Sequence, residues 1–284
     1  NAKVGDRVVV YKTFDNYGSD EMQLQYYISD VDKRIELYIM GIGFIVLVLL
    51  IARKNGLKAL FALIVTIAFI IKIFIPAIYN GYSPIFFAII TTIFSSLVTI
   101  YFTVGMNKKF VVALLGVTSG LLIAGILSYI FTYRMRLNGF LDSDLLASAY
   151  LLKNVKIKEL IPAGVIIGSL GAVMDVAVSI TSSINELHET DPNMSKKSMF
   201  KSAINIGNDI IGTMINTLIL AYIASSIFTL LLIYIQANEY PLIRILNFQD
   251  IAVEIMRSIC GSIGILIAVP LTAYIGTVIY KKNK

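Results

Sequence analysis

The feature that most constrains this chain is its series of uninterrupted apolar runs. YIMGIGFIVLVLLIA (residues 38–52) and SPIFFAIITTIFSSLVTIYFTVG (83–105) approach or reach the length a helix needs to cross a bilayer, about 20 residues. Further runs of this kind follow, separated by short polar connections. Such a pattern predicts an all-α polytopic membrane protein whose first partner is the lipid bilayer.

Composition agrees. The 284 residues are 57% hydrophobic and 15% charged, where a soluble domain carries about a quarter charged residues. The net charge of +6 would suggest nucleic acid in a soluble protein. Here the Lys and Arg cluster at loop ends, which assigns them to topology and anionic headgroups and excludes a nucleic-acid partner. One Cys and one His exclude a disulfide framework and a multi-His metal centre within one chain.

Residues 1–34 are polar. GDRVVVYK and MQLQYYISD read as two strands with Asn16, Gly18 and Asp20 in the loop between them. Two strands do not make a domain alone, so this segment is read as the extracytoplasmic tail of a β domain whose first part is missing. A transmembrane domain, 35–284, follows. Its seven expected spans are 35–52, 57–75, 85–104, 110–133, 160–183, 204–235 and 259–280, the sixth bending near Ala224, Ser225 and Ser226. FLDSDLLASAYLLKNV, 140–155, reads as an amphipathic surface helix. Loop charges at Arg53, Lys54, Lys58, Lys108, Lys109, Lys196, Lys197, Lys201 and Lys281 set the C-terminus in the cytoplasm, against the rule only at the 134–159 connection.

Two acids interrupt the apolar helices. In span five, Gly164, Gly168, Gly171, Asp175, Ser179, Ser182 and Glu186 recur every three or four residues and share one stripe. In span six, Asn205, Asp209, Thr213 and Asn216 do the same, with Asn208, Gly207 and Gly212 beside them. An acid in a span costs about 2.5–3.5 kcal/mol on the insertion scale, so each is a functional-site hypothesis. The glycines, Gly164, Gly168, Gly171, Gly207 and Gly212, are expected to admit a neighbouring backbone and so set Asp175 against protein. Asp175 and Asp209 with Ser179, Thr213, Asn205, Asn216 and Glu186 would make an all-oxygen site for a divalent or monovalent cation, or a proton relay. The rival reading is structural: the acids bond to hydroxyls and amides and hold helices together, within one protomer or between copies.

Other motifs carry less. Lys72 is read as the only cation deep in a span, paired with an acid or snorkelling to the surface. The hydroxyl row Thr91, Thr92, Ser95, Ser96 and Thr99 reads as interhelical bonding or the wall of a path. GVTSG, 116–120, reads as a packing motif. ELHETD around His188 lacks the second His of a zinc protease and reads as a capped loop, and Cys260 as a small core residue. No Ser–His, Cys–His or HExxH arrangement points to an enzyme.

GSLGAVMDVAVSITSSINELHE and FKSAINIGNDIIGTMINTLILAYIASS closely resemble the core signature of the YibE/F family of bacterial membrane proteins. Gly168, Gly171, Asp175, Ser179, Glu186, Asn205, Gly207, Asp209, Gly212 and Asn216 carry the resemblance, which extends over about 35–280. It implies a multi-pass protein of the bacterial cytoplasmic membrane with an extracytoplasmic segment ahead of the helices, and it implies no particular activity. The residues themselves point to a transporter or permease handling a cation or protons. The alternative is a non-transporting scaffold or accessory subunit, working as a homo-oligomer or with a related membrane subunit.

Overall fold

The structure, a computed structural model, describes residues 3–15, 23–139, 152–236 and 241–281. Val and Tyr recurring among polar residues favour a pleated surface. β1 (Val8–Asp15) and β2 (Gln23–Val31) accordingly pair antiparallel, Val8 opposite Val31 and Asp15 opposite Gln23, with a register shift between Val9 and Val10. Tyr11 stacks on Tyr27 with centroids 5.6 Å apart. At the strand–helix junction Arg34 grips Asp32 with Nε to Oδ1 and Nη2 to Oδ2, both 2.8 Å. Those bonds hold the Asp32 carboxyl down at about 2.

α1 (Arg34–Phe69) is too long for one span and is broken at Arg53, whose φ of 46° and ψ of −124° are those of a type II′ turn. A Cβ on Gly56 would lie 2.7 Å from the carbonyl oxygen of Val48. In a straight helix those residues stand about 12 Å apart, so the chain folds sharply back on itself here. The two arms, 34–52 and 54–69, correspond to the first two expected spans. The chain clusters into two compact units, divided after Leu60.

In the second unit the helix continues through a π turn (Ile70–Phe74) into α2 (Ile75–Tyr79). Pro76 lacks the amide that would bond the carbonyl of Lys72, and its ring crowds that carbonyl, which widens the turn. Lys72 is exposed there and forms no ion pair among the described residues. α3 (Pro84–Val104) starts on a Ser83 cap and α4 (Lys108–Arg134) on an Asn107 cap. α5 (Ile157–Thr190) is followed by α6 (Lys196–Ser225), which starts on a Ser195 cap. Then come α7 (Ile227–Gln236), α8 (Leu242–Leu246) and α9 (Gln249–Tyr280). Among the described residues six helices are long and apolar enough to cross a membrane, the first of them the broken Arg34–Tyr79 stretch.

α5 lies at the centre, with α3, α4, α9 and α6 packed around it. Its Val173, Val176 and Ile180 are fully buried in one cluster with Val112 and Val117 of α4 and Ile265 and Val269 of α9. GVTSG is a packing motif as expected: Gly116 meets Thr272, and Gly120 meets the backbone of Gly264. Cys260 is buried beside Val165, Val253 and Met256.

The expected bend of the sixth span is a break into two helices at Ser226, where the small residues weaken the run. Two expectations need correcting. The last span begins at Gln249 rather than 259, because Glu254 and Arg257 neutralise each other one turn apart and the helix carries both. ELHETD is no loop either, since α5 runs on to Thr190. There Asn185 donates to Glu189 at 2.6 Å and accepts from the Tyr280 hydroxyl at 2.9 Å, tying the end of α5 to α9. The expected surface helix at 140–155 falls mainly outside the described residues.

Candidate functional site: polar faces of α5 and α6

α5 is buried almost all round. The exception is a narrow strip of Gly168, Gly171, Asp175, Ser179, Ser182 and Glu186, every one of them exposed. Its α3 side is fixed by Ala163 and Ile166 packing with Ala88, its α6 side by Ile180 reaching Gly207. The strip therefore opens between α3 and α6.

α6 is a peripheral helix whose buried residues are only Met199, Ala203, Gly207 and Leu218. Asn205, Asn208, Asp209, Gly212, Thr213 and Asn216 all face outward. The two helices run antiparallel, with Gly168 beside the Tyr222 hydroxyl and Gly207 beside Ile180. Counting between those two contacts sets Asp175 level with residues 212–215 and Ser179 level with 208–211. Asp175 and Asp209 thus lie about one helical turn apart in depth.

Within the described residues these polar groups have few partners. Thr213 donates to the carbonyl of Ile210 at 2.8 Å, an ordinary back-bond along its own helix. Asp175, Asp209, Asn205, Asn208 and Asn216 make no hydrogen bond or ion pair there. No group of three His, Cys, Asp or Glu is close enough to hold a metal ion among the described residues, so Asp175 and Asp209 lack a third protein acid.

The glycines divide. Gly207 packs against Val269 and Ile180, Gly168 against Tyr222, and Gly164 has Arg257 at 3.6 Å from its Cβ position. Gly171 and Gly212 face open space, so the close backbone approach expected at the middle of the stripe is not made among the described residues. The hydroxyl row of α3 is buried except at Thr99, but the interhelical bonding expected of it is mostly not made: Thr91, Thr92 and Ser96 bond back to their own helix. Thr66 to Ser95, at 2.9 Å, joins it to the preceding helix. The crevice beside Thr92 and Ser96 measures about 10 Å³, room for one water and not for a path.

The profile of the YibE/F-like protein family matches residues 40–282. This chain belongs to the YibE/F-like family. The match spans both polar faces and the membrane helices from Met40 onward, and with those helices it makes the chain a multi-pass integral membrane protein. No curated protein and no solved structure matches it.

One further cluster in this YibE/F-like protein escapes a reading of the sequence by spans. Glu254 and Arg257, one turn apart on α9, pair at 2.6 Å with side chains only 23% and 22% exposed. Tyr222 of α6 lies over Gly168, and Arg257 reaches toward Gly164, so both approach the same strip of α5. Glu254 Oε2 and Arg257 Nε are buried with no hydrogen-bond partner among the described residues. The signal was an i, i+3 acid–base pair at the edge of an apolar run, hidden because the helix start was set ten residues too late.

Proposed function

We propose that the chain is a transporter or permease that passes a cation or protons along the polar faces of α5 and α6. One observation carries the reading: two carboxylates and three carboxamides stand on the outside of membrane helices with no partner in the described protomer. Hydrocarbon does not solvate them, and each acid facing lipid costs about 2.5–3.5 kcal/mol. They are therefore met by water or by protein, and a water-filled groove lined by acids is a cation path. Asp175 and Asp209 take the ion, and Ser179, Thr213, Asn205 and Asn216 lend neutral oxygens. With only two acids and neutral oxygens, the chemistry suits a proton or a hard cation that keeps part of its water shell. The proposal is transport rather than catalysis, since the sequence offers no nucleophile–base pair.

In this reading the C-terminus lies in the cytoplasm of a bacterium and residues 1–34 outside it, an orientation the basic loops favour. A second reading, a scaffold or accessory subunit, is favoured by one fact. The open space over Gly171 and Gly212 would admit a helix from another copy or a related subunit.

Thermal unfolding of the detergent-purified protein across a panel of cations and pH values separates the two. A ligand that binds only the folded state raises its apparent stability by mass action, about 2.7 kcal/mol at a hundredfold excess over Kd. Transport predicts a shift with one cation or with pH that is lost in Asp175→Asn/Asp209→Asn. The scaffold reading predicts no such shift and loss of an oligomer in the same variant.

A further inference from the structure

Glu186 and Lys201 are exposed, carry opposite charges, and form no ion pair or hydrogen bond among the described residues. The register between α5 and α6 sets them at one depth. Gly168 lies beside Tyr222 and Ile180 beside Gly207, which puts Glu186 level with residues 201–204. They do not meet inside the protomer because α6 turns its Gly207 side to α5. Lys201 lies round the helix from that side, in one exposed row with Asn205, Asn208, Gly212 and Asn216 at spacings of three and four.

The same register matches the rest of the two faces. Ser182 is level with residues 205–208, Ser179 with 208–211, Asp175 with 212–215 and Gly171 with 216–219. No acid is level with another acid. Glu186 has Lys201 at its depth and Asp209 has the Ser179 hydroxyl. Asp175 has Gly212, with the Asn216 amide one turn further on. Gly171 and Gly212 have nothing within 4 Å of their Cβ positions, so both leave room for a facing helix.

Two copies inserted the same way are related by an axis along the membrane normal, and rotation about that axis preserves depth. The α6 face of one copy, brought to the α5 strip of another, therefore keeps this pairing. In lipid, helices gain nothing by hiding apolar surface from each other, so small residues and polar pairs decide which faces associate. The arm 34–52 of α1 brings no such complement, with no charged residue from Leu37 to Ala52.

We propose that the chain works as a twofold dimer in which α6 of each copy seats its polar face on the α5 strip of the other, Glu186 pairing with the partner's Lys201. The contact runs both ways, as an isologous interface requires. It goes beyond the cation path and stands whether or not an ion passes; where one does, groups of both copies line its path.

Two differently tagged copies, co-expressed in a Cys260→Ala background and oxidised in the native membrane, test it. Ser182→Cys in one copy and Asn205→Cys in the other should give a disulfide-linked pair carrying both tags, which requires Cα atoms within about 7 Å. Ser182→Cys with Leu220→Cys, an exposed position about 18 Å away in depth, should not. Sedimentation equilibrium of the detergent-purified protein should show a dimer whose Kd rises at least tenfold in Glu186→Lys and in Lys201→Glu, about 1.4 kcal/mol per tenfold step. The double charge swap should bring it back toward wild type, a recovery that misfolding cannot produce. A monomeric wild type, a cross-link that forms equally well from Leu220→Cys or not at all from Asn205→Cys, or charge reversals that leave the Kd unchanged would overturn the proposal. A monomer that still dissipates ion gradients in proteoliposomes would sink the dimer and leave the ion path standing, and a dimer without flux would do the reverse.

Discussion

At the scale of single residues, the same residue type does opposite things on neighbouring helices. Gly120 and Gly264 let α4 and α9 touch backbone to backbone: a Cβ on Gly120 would lie 2.9 Å from the Gly264 carbonyl oxygen. Gly120→Val should therefore lower the unfolding free energy in detergent by about 3 kcal/mol, the upper end of ordinary overpacking. Gly171 has nothing within 4 Å of its Cβ position, and Gly171→Ala should keep the protomer folded and as stable as wild type or slightly more so. Chemical or thermal unfolding of the two variants side by side checks both statements. The stripes that hold Asp175 and Asp209 were legible in the sequence, because spacings of three and four fix a common face. Their exposure was not legible. A helical wheel shows which residues share a side and says nothing about what stands opposite it. The glycines of the α5 stripe looked like packing glycines for the same reason.

Among the helices and turns, hydropathy located the spans and local charge hid their ends. The break at Arg53 was visible as a basic, polar interruption between two apolar runs, although its geometry was not. A φ of 46° in a residue with a Cβ stores strain that glycine would release. Arg53→Gly should accordingly raise the unfolding free energy by about 1 kcal/mol, read as a higher unfolding midpoint in detergent, whereas a lowered midpoint would show that the Arg53 side chain matters more than its backbone. The start of α9 was hidden because Glu254 and Arg257, taken singly, interrupt the apolar run with two charges. Paired at 2.6 Å they count as nearly none, and the helix simply continues through them. That one boundary concealed the cluster of Tyr222, Glu254 and Arg257 beside α5. The bend after α6 was readable from Ala224, Ser225 and Ser226, which offer few large apolar groups to hold the helix to its neighbours.

For the molecule as a whole, the membrane architecture followed from apolar run length, and the small N-terminal sheet from its Val and Tyr pattern. The identity of whatever meets the polar faces did not follow, because it lies outside the described residues. A central helix sealed on nearly every side but open along one acidic strip, beside a peripheral helix whose outward face is polar, is the physical basis of the proposed path for charge. The most direct test is flux through the purified protein in proteoliposomes, with an internal pH dye and imposed proton, sodium, potassium or magnesium gradients. Wild type should dissipate at least one gradient, and Asp175→Asn, still folded and inserted, should do so at least tenfold more slowly, about 1.4 kcal/mol of barrier. Wild-type rates from the Asp175→Asn protein, or no flux from wild type under any of these gradients, would contradict the account.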